Sequence, residues 1–372
     1  MSDSSPVATI VVTAFEEGPL LRQCLNSVLS QTDARFECII IDDASETDTV
    51  EFIASDILDD KRIRLIQNPR NIGLAASRNI GLEAARTPLI TFLDADDFLF
   101  PSALESRVAS IRYADDNGTL SGSFCNWIFV AEDERPHDIP PKQPSRRHAT
   151  WLDCVDDNLF IASAPLISTQ AARLVGGFDE RLGTAEDYDF WARLLRQGFA
   201  LRACSYVGVG YRQKRSSMYR TTAQAHVRNQ IAIYRWNYSK LKRREIAHSA
   251  PFPFRRPPGA YRVALNEARR FSVGAVNALH SNDAAALEEF CDGIRQRVEP
   301  WMWWAANWRT LIHKTADRLE GYETAGFEER RGSLETEAIK VLMPILKVPG
   351  HPWLDEDFGT KTAGLHPTGS RG

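Results

Sequence analysis

The sequence predicts an α/β fold built on a parallel sheet, and three observations carry that expectation. Short apolar runs rich in β-branched residues alternate with segments of helical period. Each run closes on polar or acidic residues. The chain has 372 residues, more than one compact core normally uses, so two domains are expected. The first strand is expected at Val7 to Thr13. Leu20, Leu21, Cys24, Leu25, Val28 and Leu29 then recur at helical spacing. A second strand, Phe36 to Ile41, ends in Asp42-Asp43-Ala44-Ser45, and a third, Arg62 to Ile66, leads into Asn68-Pro69-Arg70-Asn71-Ile72-Gly73. A helical stretch from Leu74 to Ala85 precedes a fourth strand, Pro88 to Leu93, which runs into Asp94-Ala95-Asp96-Asp97. This βαβαβαβ alternation implies a parallel sheet with helices on both faces. Ligands of such sheets bind beyond the carboxyl ends of the strands. Asp43, Asn71 and the Asp94 cluster share that edge.

Three carboxylates in one turn repel each other and are costly to desolvate without a partner. Mg²⁺ or Mn²⁺ relieves both problems, since these ions prefer oxygen ligands and complete their shell with phosphate and water. The pattern therefore suggests a metal holding a phosphorylated ligand at the sheet edge. The competing reading is an ordinary surface turn, where Asp is common.

Composition fits a globular enzyme: 25% charged and 10% aromatic residues. The net charge of −4 argues against nucleic-acid binding. Six cysteines show no CxxC pair or zinc spacing, so they read as small hydrophobes in a reducing, cytoplasmic setting. No apolar run reaches the length of a membrane span, and the N-terminus lacks the features of a signal peptide. There is no internal repeat. Glu132 to His148, with four prolines, reads as a loop, either disordered or a lid. The expected division is a catalytic domain over 1–220, a mainly helical accessory region over 221–347 and a flexible tail over 348–372.

The ordered stretches Thr9 to Glu17, Ser27 to Thr32, Ile41 to Ser45, Asn71 to Gly81, Asp94 to Asp97, Gly176 to Glu180 and Ala185 to Asp189 resemble those of inverting family 2 glycosyltransferases. The resemblance covers roughly the first 215 residues. It implies the GT-A fold, a Rossmann-like mixed sheet flanked by helices. It also implies a nucleotide-sugar donor, with UDP-sugars as the default, and a saccharide or lipid-linked acceptor in surface polysaccharide synthesis. A divalent metal, Mn²⁺ or Mg²⁺, is implied as cofactor.

The resemblance assigns Asp43 to the nucleobase, against the alternative of capping a helix that starts near Thr47. Thr13, Phe15 and Glu16 fall where the family lines the nucleoside pocket, although Phe15-Glu16 stands where Tyr-Asn is frequent. Asn71 belongs to the donor edge. Arg78 would pair with the diphosphate or with an Asp of the metal site; a structural ion pair is the alternative. Asp96 is the first metal ligand, Asp97 adds a direct or water-mediated contact, and Asp94 orients Asp96 or reaches the ribose. Asp187 is the general base, and Glu186 binds the acceptor or holds Asp187. Thr184-Ala185-Glu186-Asp187 also fits a capping box, so acids that merely complement a helix dipole are the plainer reading. That helix is expected to end before Gly198. Arg212 and Lys214 follow a strand at Ala200 to Val209. Lys214 stands where many relatives have His; its ammonium suits phosphate and cannot ligate a metal.

Trp301, Trp304 and Trp308 share a helical face. It reads as packing onto the catalytic domain, with a peripheral contact to the inner face of a membrane as the alternative. Two other functions compete. A haloacid-dehalogenase-type phosphatase also carries DxD, but needs Thr or Val where Phe98 stands and an aspartate near the chain start. A non-catalytic sugar-nucleotide-binding protein would lack Asp187 or Asp96. A dehydrogenase is disfavoured because no GxGxxG follows the first strand.

Overall fold

The protein is described by a computed structural model. It describes residues 5–46, 53, 55–112, 120–131, 148–149, 151–155, 158–214 and 223–238, together with 270, 274, 285–286 and 289–290. The chain divides into two compact units, Met1–Val263 and Ala264–Gly372.

In the first unit, β1 (Ala8–Ala14), β2 (Phe36–Asp42), β3 (Ile63–Gln67) and β4 (Leu89–Asp94) pair in parallel in the order β3-β2-β1-β4. These are the strands expected from the apolar runs, each within a residue or two. β1 is buried along its whole length, which explains why its sequence shows no polar–apolar alternation. α1 (Pro19–Leu29) and α3 (Leu74–Ala84) connect the strands, with a short α2 (Ser55–Leu58) before β3. Pro19 opens α1, where its missing N–H costs nothing. Gly81 of α3 lies so close to Val11 that an added Cβ would sit 2.2 Å from a Val11 methyl. The glycine therefore sets how closely that helix packs on the sheet.

Beyond β4 the sheet becomes mixed. β5 (Phe98–Leu99), α4 (Ala103–Arg112), β6 (Leu120–Val130), β7 (His148–Ala149), β8 (Pro165–Ser168), α5 (Thr169–Leu174), α6 (Glu186–Arg196) and β9 (Ala200–Arg212) complete it. The strand order is β3-β2-β1-β4-β8-β6-β9-β5, with β7 paired to β9. β8 runs antiparallel to both β4 and β6. Two buried clusters cover the two faces of the sheet, one around Phe92, Phe178, Phe190 and Trp191, the other around Ile10, Leu25, Ile40 and Leu93. In the first, Phe178 stacks on Phe190 at 4.3 Å and meets Phe92 edge-on at 4.8 Å.

α7 (Ala223–Tyr238) belongs to this first unit, and its Ile233 joins the cluster that contains Tyr188 and Trp191. In the second unit, Gly274 lies against the ring of the fully buried Phe290. The Pro-rich stretch at 132–147, the Trp301–Trp308 face and the tail over 348–372 lie outside the described residues, as does most of the expected accessory region. The five described cysteines, Cys24, Cys38, Cys125, Cys154 and Cys204, are buried and unbridged, in keeping with their reading as small hydrophobes. Burial pushes the Cys38 thiol up to about 12 and that of Cys125 to about 11. Among the described residues no helix is long and apolar enough to cross a membrane.

Candidate active site

Strand register brings the acidic residues together. Thr13 of β1 lies opposite Asp94 of β4, and Ala14 lies opposite Asp42 of β2. The ladder runs past the strand ends, with Asp43 N–H donating to Ala14 O at 2.9 Å and Ala95 N–H to Thr13 O at 3.1 Å. Thr13, Asp43 and Asp94 therefore share one edge, as the sequence predicts.

Asp43 is buried and held fast. Its Oδ1 accepts from Asn68 Nδ2 at 2.8 Å and from the Ile72 N–H at 2.9 Å, and its Oδ2 accepts from the Gly73 N–H at 2.8 Å. The carboxylate thus fixes the loop that leads into α3. Gly73 has φ 90°, a conformation glycine adopts without penalty. Asn71 is exposed on that loop. On either side of β2, Phe15 after β1 is 46% exposed and Ile72 after β3 is 38% exposed. Glu16, with φ 57°, turns its carboxylate to the Glu46 N–H, while its own N–H donates to Ser45 Oγ. In this structure Glu16 braces the loop after β2.

The three carboxylates after β4 differ. The Asp94 and Asp96 side chains keep 26% and 21% exposure. Asp97 is buried; its Oδ1 accepts from the Arg212 N–H at 2.9 Å and its Oδ2 from Ser163 Oγ at 3.0 Å. Arg212 also donates through Nε to Asp96 O at 2.9 Å and through Nη2 to Gln23 Oε1 at 3.1 Å, so it grips the turn from the end of β9. Lys214 places Nζ 2.9 Å from Asp96 Oδ2, and 2.9 and 2.7 Å from the two oxygens of Glu17. Burial, Asp96 and Asp94 push the Asp97 carboxyl well above the usual range. Burial raises Asp96 too, against the pull of Lys214.

Arg78, fully buried on α3, spans the site. Nη2 donates to Asp94 Oδ1 and Nη1 to Glu186 Oε1, both at 2.6 Å. Burial works against its charge, but Asp94 and Glu186 together keep it protonated. Beside it, burial pushes Glu186 up to about 7 despite Arg78. Asp187 is partly exposed. Its Oδ2 accepts from Asn158 Nδ2 at 2.8 Å and its Oδ1 from the Tyr188 N–H at 2.7 Å. Burial raises it, opposed by Arg78 and by the Asn158 bond.

The expected capping box at Thr184 does not form. The residue capping α6 is Ala185, left-handed at φ 62° and without a side-chain cap. Such a conformation costs a non-glycine residue about 1–2 kcal/mol. Thr184 is engaged elsewhere: Asn229 Nδ2 of α7 donates to its carbonyl at 3.0 Å and to Oγ1 at 3.3 Å. From the other side, Asn79 of α3 clasps the Gly177-Phe178 turn, accepting the Phe178 N–H at 2.8 Å and donating to Phe178 O at 2.9 Å. Arg193 ties α6 to the same turn through Gly177 O at 2.7 Å. The Gly-Gly-Phe-Asp stretch is thus the socket against which α6 is held. α6 ends at Arg196, before Gly198 as expected.

Sequence reasoning missed Glu17, Asn158, Ser163 and Ile72. Glu17 carries a usable signal, an acid shortly past the end of β1. Asn158 and Ser163 carried none, since both reach the site only through the fold.

The sequence matches the Glycosyl transferase family 2 profile over residues 9–152. An uncharacterised glycosyltransferase of Haemophilus influenzae is 41% identical over 210 residues, which span 55% of this chain and 80% of that protein. The chain belongs to glycosyltransferase family 2. Within the family, the putative teichuronic acid biosynthesis glycosyltransferase TuaG of Bacillus subtilis is 25% identical over 199 residues, 54% of this chain and 76% of TuaG. The crystal structure of Staphylococcus aureus TarS 1-349 in complex with UDP-GlcNAc covers 90% of this chain and 92% of its own, at TM-score 0.57 and 15% identity. It shows that the fold is shared. The family resemblance, the α/β fold and the transferase activity expected from the sequence are met, and the phosphatase and dehydrogenase readings fall away.

Proposed function

We propose that this family 2 enzyme is an inverting, metal-dependent glycosyltransferase. It would move a sugar from a UDP-sugar to a hydroxyl of a saccharide or lipid-linked acceptor in surface polysaccharide synthesis, in the cytoplasm or at the inner face of a membrane. The observation that carries the reading is the Arg78 bridge, which ties a donor-edge carboxylate, Asp94, to the helix that presents Asp187. One rigid network then sets the distance between leaving group and base, as in-line transfer requires.

The nucleobase would lie between Phe15 and Ile72, over the end of β2 where Asp43 stands. Asp43 keeps its bonds to the Asn68 and Ile72-Gly73 loop and offers its remaining acceptor capacity to a base N–H. The UDP-GlcNAc held by TarS supports uridine. The donor set suits Mg²⁺ or Mn²⁺, which take one or two carboxylates and fill the rest with phosphate and water. Among the described residues no larger cluster of metal-ligating side chains forms. Asp96 would hold the ion. Asp97, its oxygens engaged by Arg212 and Ser163, would brace the turn from beneath, and Asp94 would orient it. When bound, the metal neutralises charge on the departing nucleoside diphosphate.

Asp187 takes the proton of the acceptor hydroxyl as that oxygen attacks the anomeric carbon. An alcohol is far less acidic than Asp, so the transfer accompanies attack. Attack opposite the leaving diphosphate inverts the anomeric configuration. Glu186, paired with Arg78, holds the base helix. The test is UDP titration with Mn²⁺ and with EDTA, together with the anomeric configuration of the product. Metal-enhanced binding and an inverted product are expected; equal affinity in both buffers sinks the metal, and a retained configuration sinks the mechanism.

A further inference from the structure

We infer that Lys214 is an internal counter-cation that occupies the metal position at Asp96 in the nucleotide-free protein and yields it when a diphosphate and a divalent ion arrive together. The inference rests on the proposed role of Asp96. Lys214 Nζ makes three short contacts, 2.9 Å to Asp96 Oδ2 and 2.9 and 2.7 Å to the Glu17 carboxylate. These can use all three ammonium donors. An ammonium cannot ligate a metal, and here it stands on one oxygen of the carboxylate proposed to hold one. A positive charge held about 4 Å from an incoming cation weakens its binding by roughly tenfold or more. A divalent ion alone therefore meets a carboxylate whose charge is already offset in part by the ammonium.

A diphosphate changes this balance. Lys214 is a compact charge on a flexible stem, and its side chain keeps 18% exposure, so it can turn from Asp96 to a phosphate oxygen. Asp96 is then released to the metal. Each ligand clears the way for the other, so metal and nucleotide bind with positive and reciprocal coupling. Glu17 keeps the ammonium within reach of both partners.

The test measures Mn²⁺ binding to the full chain by electron paramagnetic resonance of the free ion, with and without UDP. In the wild type, UDP should tighten Mn²⁺ binding by about 5–150-fold, the usual range of such coupling. Lys214→Met should bind Mn²⁺ alone roughly tenfold tighter and show a weaker coupling to UDP, keeping only the part that direct contact between ion and diphosphate supplies. Lys214→Gln, of different shape, should do the same, with circular dichroism and melting confirming the fold. If neither variant binds Mn²⁺ more tightly than wild type, the inference fails. If the wild type couples Mn²⁺ to UDP and both variants keep that coupling in full, it fails while the metal-dependent reading stands. If no Mn²⁺ binds even with UDP, both fall.

Discussion

At the ends of β1, β2 and β4 the functional side chains stand where strand register puts them: Thr13 faces Asp94, and Ala14 faces Asp42. Asp187 and Glu186 are held differently. No strand register reaches them; they depend on Arg78 of α3, Asn158 of a loop, the Asn79 clasp and Asn229 of α7. The donor edge keeps partly exposed carboxylates ready for a charged ligand. At the start of α6, Glu186 is buried and balanced by Arg78, and Asp187 is partly exposed. The carboxylates at the strand ends are therefore placed by backbone pairing between strands and the start of α6 by side-chain contacts, so substitutions should damage them in different ways.

The largest effect should fall on the base side. Asp187→Asn keeps shape and can still accept the Tyr188 N–H bond. It should fold and bind UDP as the wild type does, while transfer drops about 10²–10⁴-fold, the usual weight of a general base. Near-normal turnover in this variant would falsify the assignment. Next comes the tie between the halves. Arg78→Met leaves Asp94 and Glu186 without their common partner, and breaking a buried pair costs about 3–5 kcal/mol. Denaturant unfolding should show that loss, and Arg78→Lys should restore only part of it, because an ammonium lacks the planar fork. Full stability in Arg78→Met would mean that the halves are held independently.

A pH profile sharpens the contrast. The folded-state value of Glu186 lies near 7, above its ordinary 4.5. Its contribution to stability is therefore full below pH 4.5 and lost as pH rises through about 7. Activity should move the other way, since the ion pair with Arg78 needs the carboxylate. Turnover should fall below about pH 7, and Glu186→Gln should flatten both the rate limb and the melting-temperature slope. A limb that persists unchanged in Glu186→Gln would assign it elsewhere. The smallest effect is expected on the donor edge. Asp97 is penalised as a charge by burial, Asp96 and Asp94. Asp97→Asn, which can still accept the Arg212 N–H, should stay within about 1 kcal/mol of wild-type stability, because the cost of burying the charge goes with it. Loss of Mn²⁺-dependent UDP binding in this variant would return Asp97 to the metal.

The same contrast explains what was legible in the sequence. The parallel core was readable because its strands are buried on both faces and flanked by polar ends, so a one-dimensional pattern carries the structure. Asp43 and the Asp94 cluster followed from it. The mixed half was not readable from period alone: β8 has only four residues, and β6 pairs with β9 through bulges that break its register. The supposed capping box failed for a related reason. The Thr184 hydroxyl had a local partner by spacing, but Asn229, 45 residues downstream, engages it instead. Lys214 could be read as a departure from the family; its place on Asp96 could not, because Glu17 on the other side of the turn fixes it.

That reach of Asn229 bears on where the catalytic unit can be cut. A fragment ended at residue 220, where the helical period takes over in the sequence, would keep Asp187 and every carboxylate of the donor edge. It would lose α7, and with it the clamp on the residue preceding left-handed Ala185. Such a fragment should bind nucleotide through an intact sheet edge while its base helix starts from an unheld turn. A minimal transferase therefore includes α7, and part of what a sequence-based boundary assigns to an appendage holds the turn that opens α6.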